Sequence, residues 1–151
     1  MYDTQDDWNL PDPDTQPEFY QDVPTKRLLA WLIDSAAIGV LTLILIPFTA
    51  FAALFFLPLF WLAIGLIYRI VTLAGGSATP GMRIMLLSIR SQDGQPLNGF
   101  TAAAHTIIYS VCMAFVLLQV VSIVLMLTTE RRQGLPDLVL GTAALNRAGR
   151  H

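Results

Sequence analysis

Four ionisable side chains stand within or beside apolar sequence: Arg27, Asp34, His105 and Asp137. Asp34 is the most demanding of them. The stretch from 26 to 46 is almost wholly apolar after its first two residues, and as a helix it reaches roughly 30 Å, the thickness of a hydrocarbon core. An acid inside such a segment either stays protonated, because desolvation disfavours its charged form, or ionises beside a cation. Alternation between those states is what a proton or cation carrier requires. Arg27 lies two helical turns before Asp34 on nearly the same face, about 10 Å along the axis, so only the long arginine side chain can close that distance. A static reading competes with the carrier: Arg27 and Asp34, joined by Asp137, form an ion pair that ties the first helix to the C-terminal segment. His105 reads as a packed, hydrogen-bonded residue or as a proton relay. His151 is terminal.

These residues need apolar elements to position them. A second apolar stretch, Ala50 to Leu73, follows the short uncharged Pro47-Phe48-Thr49 link, so the two spans form an antiparallel hairpin. Pro58 is expected to kink the second helix, Trp61 to pack against a neighbour, and Tyr68 and Arg69 to mark the far membrane edge. Residues 74 to 99 form a polar connection, in which Thr79 before Pro80 reads as an N-cap followed by proline at the first helical position. Leu86 to Ser91 reads as a strand or as the continuation of an interfacial helix. Gly75, Gly76, Gly81 and Arg83 could cradle a phosphate or a lipid headgroup but lack P-loop spacing, which leaves loop flexibility as the plainer reading.

Phe100 to Thr129 is apolar again, and longer than one perpendicular span needs. It is one tilted helix or a pair of shorter helices that dip in and return. Lys26, Arg27, Arg69, Arg83 and Arg90 share one side, the cytoplasmic one by the positive-inside rule; Arg131, Arg132, Arg147 and Arg150 join them only if the third stretch re-enters. The segment after Gln133 is too short to span and is expected to end in a strand or interfacial piece, able to pair with Leu86 to Ser91.

The composition agrees: 54% of the 151 residues are hydrophobic and 13% charged, with a mean hydropathy of +0.58, too apolar for a soluble domain of this size. The expected architecture is a small all-α transmembrane bundle over residues 25–146, with short cytoplasmic interfacial segments that include a small β pair. Residues 147–151 form a C-terminal tail. Seven of the eleven acids lie in the first 22 residues, where there is no lysine or arginine, and residues 1–24 read as an acidic disordered tail without the basic start of a cleaved leader. The scattered basic residues exclude nucleic acid as a partner. Two distant histidines and the lone Cys112 make no metal set, no cofactor fingerprint occurs, and no nucleophile–base spacing suggests an enzyme.

With those residues in hand, the chain resembles the RDD family, named for an Arg and two Asp. Arg27 to Asp34 is similar to that family's Arg-x-x-Ala-x-x-Ile-Asp element, matching at Arg27, Ala30, Ile33 and Asp34. Thr79-Pro80-Gly81-Met82-Arg83 resembles its Thr-Pro-Gly-Lys element with the basic residue displaced by one, and Asp137 with Gly141-Thr142 resembles its third. Two positions depart: Pro136 stands where the family often has His, and His105 where it commonly has Arg, so a cation that can lose its proton replaces a fixed one. The resemblance implies an integral membrane protein for which ion or solute transport has been proposed. With so few helices a transport path requires oligomers, for which Ala30, Ala37 and Gly39 offer close approach. The expectation is therefore a bacterial inner-membrane protein with a cytoplasmic N-terminus, acting as a cation or solute transport component built on Asp34, or as a non-transporting scaffold whose acidic tail recruits a partner. A homo-oligomer or a membrane-protein partner is expected in either case.

Overall fold

The computed structural model describes residues 8–147. Two long apolar helices dominate it: α1, Val23–Leu45, and α2, Leu57–Gly76. Both are long and apolar enough to cross a membrane. Ile46 continues the helical bonding to Thr42, but Pro47 lacks the N–H to extend it, and the chain reverses through two short 3-10 turns, Pro47–Thr49 and Ala52–Phe56. Between the turns Ala50 and Phe51 both hold left-handed backbone. Pro58 does not kink α2 as expected; it sits in the first turn of that helix, where no N–H is needed. Trp61 lies against Gly39 of α1.

After α2 the chain leaves the apolar layer. Ser77, in left-handed backbone, caps α2 by donating its N–H to the Leu73 carbonyl. Thr79 then opens a one-turn helix, α3, Pro80–Ile84, with its hydroxyl accepting from the Met82 N–H at 3.2 Å. Strand β1, Leu87–Ser91, follows, and the chain enters α4, Gly99–Ala114, through an Asn98 cap that accepts from Thr101 N–H at 2.8 Å. The third apolar stretch is two helices: α4 and α5, Val116–Thr128, meet at Phe115 with a bend of 117°. At about 24 and 20 Å by helical rise, neither half spans a bilayer alone. After α5 come α6, Leu135–Leu140, and strand β2, Thr142–Asn146.

The two strands pair antiparallel, Leu87 opposite Asn146 and Ser91 opposite Thr142. This pairing decides the course of the third stretch. Because β1 precedes α4 and β2 follows α6, both ends of the bent pair return to the same face of the molecule. A hydrophobic core also lies there: Val23, Ala30, Leu73, Leu87, Ile89, Leu97, Ala102 and Ala144 belong to one buried cluster. Further along the spans, Val40, Leu43, Leu59 and Val71 stay exposed, the condition of helices that meet lipid tails.

The stretch before α1 differs from expectation. Residues 8–22 are held against the sheet: Tyr20 is buried on Ala143 and Leu145, flanked by Leu10 and Phe19. The Asn146 amide donates to the Glu18 and Gln21 carbonyls, and the Asn9 N–H donates to the Gln92 carbonyl. A few scattered apolar residues suffice here because one aromatic ring and several backbone bonds anchor the segment, a pattern that composition does not register. Asp3, Asp6, Asp7, Arg150 and His151 lie outside the described residues.

Candidate functional site

Asp34 and Asp137 occupy separate polar nests, each built from one backbone N–H together with side-chain donors. Asp34 is 1% exposed. Gly81, in the first turn of α3, packs so closely on α1 that a β-carbon there would strike the Ala30 carbonyl and crowd the Asp34 carboxylate. That approach brings the Gly81 N–H to Asp34 Oδ1 at 2.8 Å. Tyr68 of α2 donates its hydroxyl to the same oxygen at 2.8 Å. Thr79 donates to Oδ2 at 2.5 Å while accepting from Met82, so the direction of its hydrogen is set. Asp34 is thus an acceptor surrounded by donors.

Arg27 is not its partner. The Arg27 guanidinium turns to Asp137, 2.5 Å from Nη1 to Oδ2. Asp137, fully buried in α6, also accepts from the Gly134 N–H at 3.1 Å, from the Thr142 hydroxyl at 3.0 Å and from His105 Nε2 at 2.9 Å. Facing a carboxylate, His105 must carry its proton on Nε2. Burial alone would raise the Asp137 pKa, but the Arg27 charge and the His105 hydrogen bond outweigh it and hold the carboxyl below its ordinary range. Gly141, at φ +63°, ends α6 and turns the chain so that Thr142 reaches back to Asp137. The expected Arg27–Asp34 pair is therefore corrected. Two elements that both lie near α1 each claim one of its charged residues.

The remaining motif residues divide. Pro80 opens α3, and Thr79 and Gly81 serve Asp34, whereas Arg83 is exposed and folds over Gly76. The glycines and Arg83 do not converge on a phosphate cradle. Among the described residues, no group of three or more His, Cys, Asp or Glu is placed to hold a metal ion.

Between α1, α2, α4 and α5 lies a cavity of about 470 Å³ that both nests border through Asp34, Thr79, Arg27 and His105. Three residues in or beside it, Tyr68, Arg69 and Tyr109, are additions to the expected site. Tyr68, beside the cavity, binds Asp34 rather than marking only the membrane edge. Arg69 lines the cavity, stacked on the Tyr109 ring with 4.5 Å to its centroid. The signal was an ionisable residue inside an apolar helix, the same signal that marked Asp34.

The sequence model of the RDD family matches residues 23–141, from the first residue of α1 to the glycine that ends α6. Comparison with curated proteins and with solved structures found no match.

Proposed function

The chain belongs to the RDD family, and from that premise we propose that it acts as a non-transporting membrane module, in which two buried aspartates fasten a helical hairpin and a bent helix pair to a small cap. The state of Asp34 carries this reading. A carrier carboxylate must exchange its proton or cation with water in each cycle. Asp34 holds three protein donors and is 1% exposed, and each donor left unsatisfied by its release costs about 1–3 kcal/mol. A fixed acceptor suits a fastener better than a shuttle.

One observation favours the second reading, a cation or small-solute transport component: Asp34 and His105 both border the cavity. Proton and sodium flux in proteoliposomes, for wild type and Asp34→Asn at matched incorporation, separates the two. The module reading expects no Asp34-dependent flux together with reduced stability of the variant; flux that the substitution removes overturns it.

The orientation we propose puts the sheet and the N-terminus in the cytoplasm of a bacterial inner membrane. In support, the return of the bent pair places Arg131, Arg132 and Arg147 on the same face as Lys26, Arg83 and Arg90. A module of this kind works through a second copy or another membrane protein, with the acids of the N-terminal stretch facing a basic surface. Neutralising Asp3, Asp6 and Asp7 together should weaken that association.

A further inference from the structure

Two arginines, Arg27 and Arg69, stand at the cavity with two carboxylates, Asp34 and Asp137, but only one arginine reaches a carboxylate. Arg27 is satisfied by Asp137, and Asp34 by its three donors. Arg69 has only the Tyr109 ring beneath it: among the described residues, no carboxylate is within salt-bridge distance and no acceptor takes its N–H groups. An aromatic face attracts a guanidinium but neither neutralises its charge nor occupies its in-plane donors. An arginine in an apolar helix whose N–H donors have no protein acceptor marks a binding position.

The rest of the cavity specifies what the anion is attached to. Apart from the two nests and from Gln119 and Ser122, the walls are mainly apolar, with Leu73, Met82, Met113, Ile123, Met126 and Leu127. Of the lining residues, Leu28, Met113, Ile123 and Leu127 remain between 41% and 58% exposed, so apolar side chains of α1, α4 and α5 border the mouth. In a membrane, that mouth faces acyl chains. Arg69 lies two turns before the end of α2, about 10 Å below the level of α3, shallow enough for a headgroup to reach from the interface. A basic pocket between transmembrane helices on the cytoplasmic side is a general solution for anionic headgroups.

We infer that the cavity receives the acyl chain of an anionic amphiphile, whose carboxylate or phosphate pairs with Arg69. The inference concerns Arg69 and stands whether or not Asp34 moves ions. Met113 and Met126 suit a flexible occupant, since unbranched thioether side chains adapt to irregular shapes.

The test uses the full chain in phosphatidylcholine nanodiscs with a diazirine-bearing palmitic acid as probe, read by mass spectrometry of the photolabelled peptides. Wild type should label saturably within residues 113–127, and Arg69→Gln should raise the half-saturating probe concentration about tenfold or more at an unchanged melting temperature. Arg69→Lys, which keeps the charge, should stay within a few-fold of wild type. Met126→Trp, which fills the cavity and leaves Arg69 intact, should abolish the labelling. Competition identifies the source: displacement by phosphatidylglycerol indicates a lipid phosphate, and displacement by unlabelled palmitate alone indicates a free acid. Labelling that does not saturate, that persists in Met126→Trp, that is equal in Arg69→Gln, or that the methyl ester of the probe reproduces would overturn the inference.

Discussion

The Arg27 guanidinium meets the Asp137 carboxylate at 2.5 Å across 110 residues of chain. The contact joins the start of the first span to the helix that follows the last apolar stretch, and His105 completes it from the side. Asp137 is fully buried while the Arg27 side chain keeps 12% exposure, so removal of the cation strands a desolvated anion.

Arg27→Gln should therefore destabilise the protein by about 3 kcal/mol. Lys26→Gln, which loses one bond to the Asn146 amide oxygen, should cost about 1 kcal/mol. Arg27→Gln combined with Asp137→Asn should cost less than the sum of the single changes, because the second substitution removes the charge that the first leaves unpaired. Equilibrium unfolding in mixed detergent measures all of these, and additive costs would contradict the pairing.

The same carboxylate sets an acid limit. Its folded pKa is depressed relative to the ordinary value of 3.8. A depressed acid contributes stability that is fully present above the unfolded value and is lost as pH falls through the folded one. The melting-temperature gap between wild type and Asp137→Asn should stay constant from neutral pH down to that ordinary value and shrink below it. A gap that closes already at pH 6 would show that Asp137 is not held in this way.

Glycine positions offer a paired comparison. Gly81→Ala drives a β-carbon against the Ala30 carbonyl and to 2.9 Å from Asp34 Oδ1, so α3 must lift and the variant should lose about 1–3 kcal/mol. Gly75→Ala meets nothing within 4 Å inside α2 and should gain up to about 1 kcal/mol. Thermal unfolding ranks the two; equal effects would mean that α3 does not press on α1.

The return of the bent pair can be read from topology. In a Cys112→Ala background, an impermeant thiol reagent should label Gln95→Cys and Arg132→Cys from one side of the membrane and Thr49→Cys from the other. Labelling of Arg132→Cys together with Thr49→Cys would mean that α4 and α5 cross once.

Much of this protein was legible in its sequence, and the legible parts share a cause. Hydropathy and length marked α1 and α2, and the Thr79-Pro80 pair marked the start of α3; the short apolar pieces at 86–91 and after Gln133 allowed a strand pair as one of two readings, the one the structure takes. Each is a local property, set by side chains within a few residues of one another. A returning pair was one of two readings of residues 100–129, but no proline or glycine announces the bend at Phe115, and the β1–β2 pairing decides between them. The packing of Tyr20 was equally silent, since it depends on Ala143 and Leu145 at the far end of the chain. Residue types also named the charged participants, Arg27, Asp34, His105 and Asp137, but not their partners. On α1, Arg27 and Asp34 share nearly one face, which made a mutual pair the economical reading. Tertiary structure separates them, because Gly81 brings the start of α3 onto Asp34 while α6 brings Asp137 to Arg27, and a short contact with several donors outweighs a long reach along one helix.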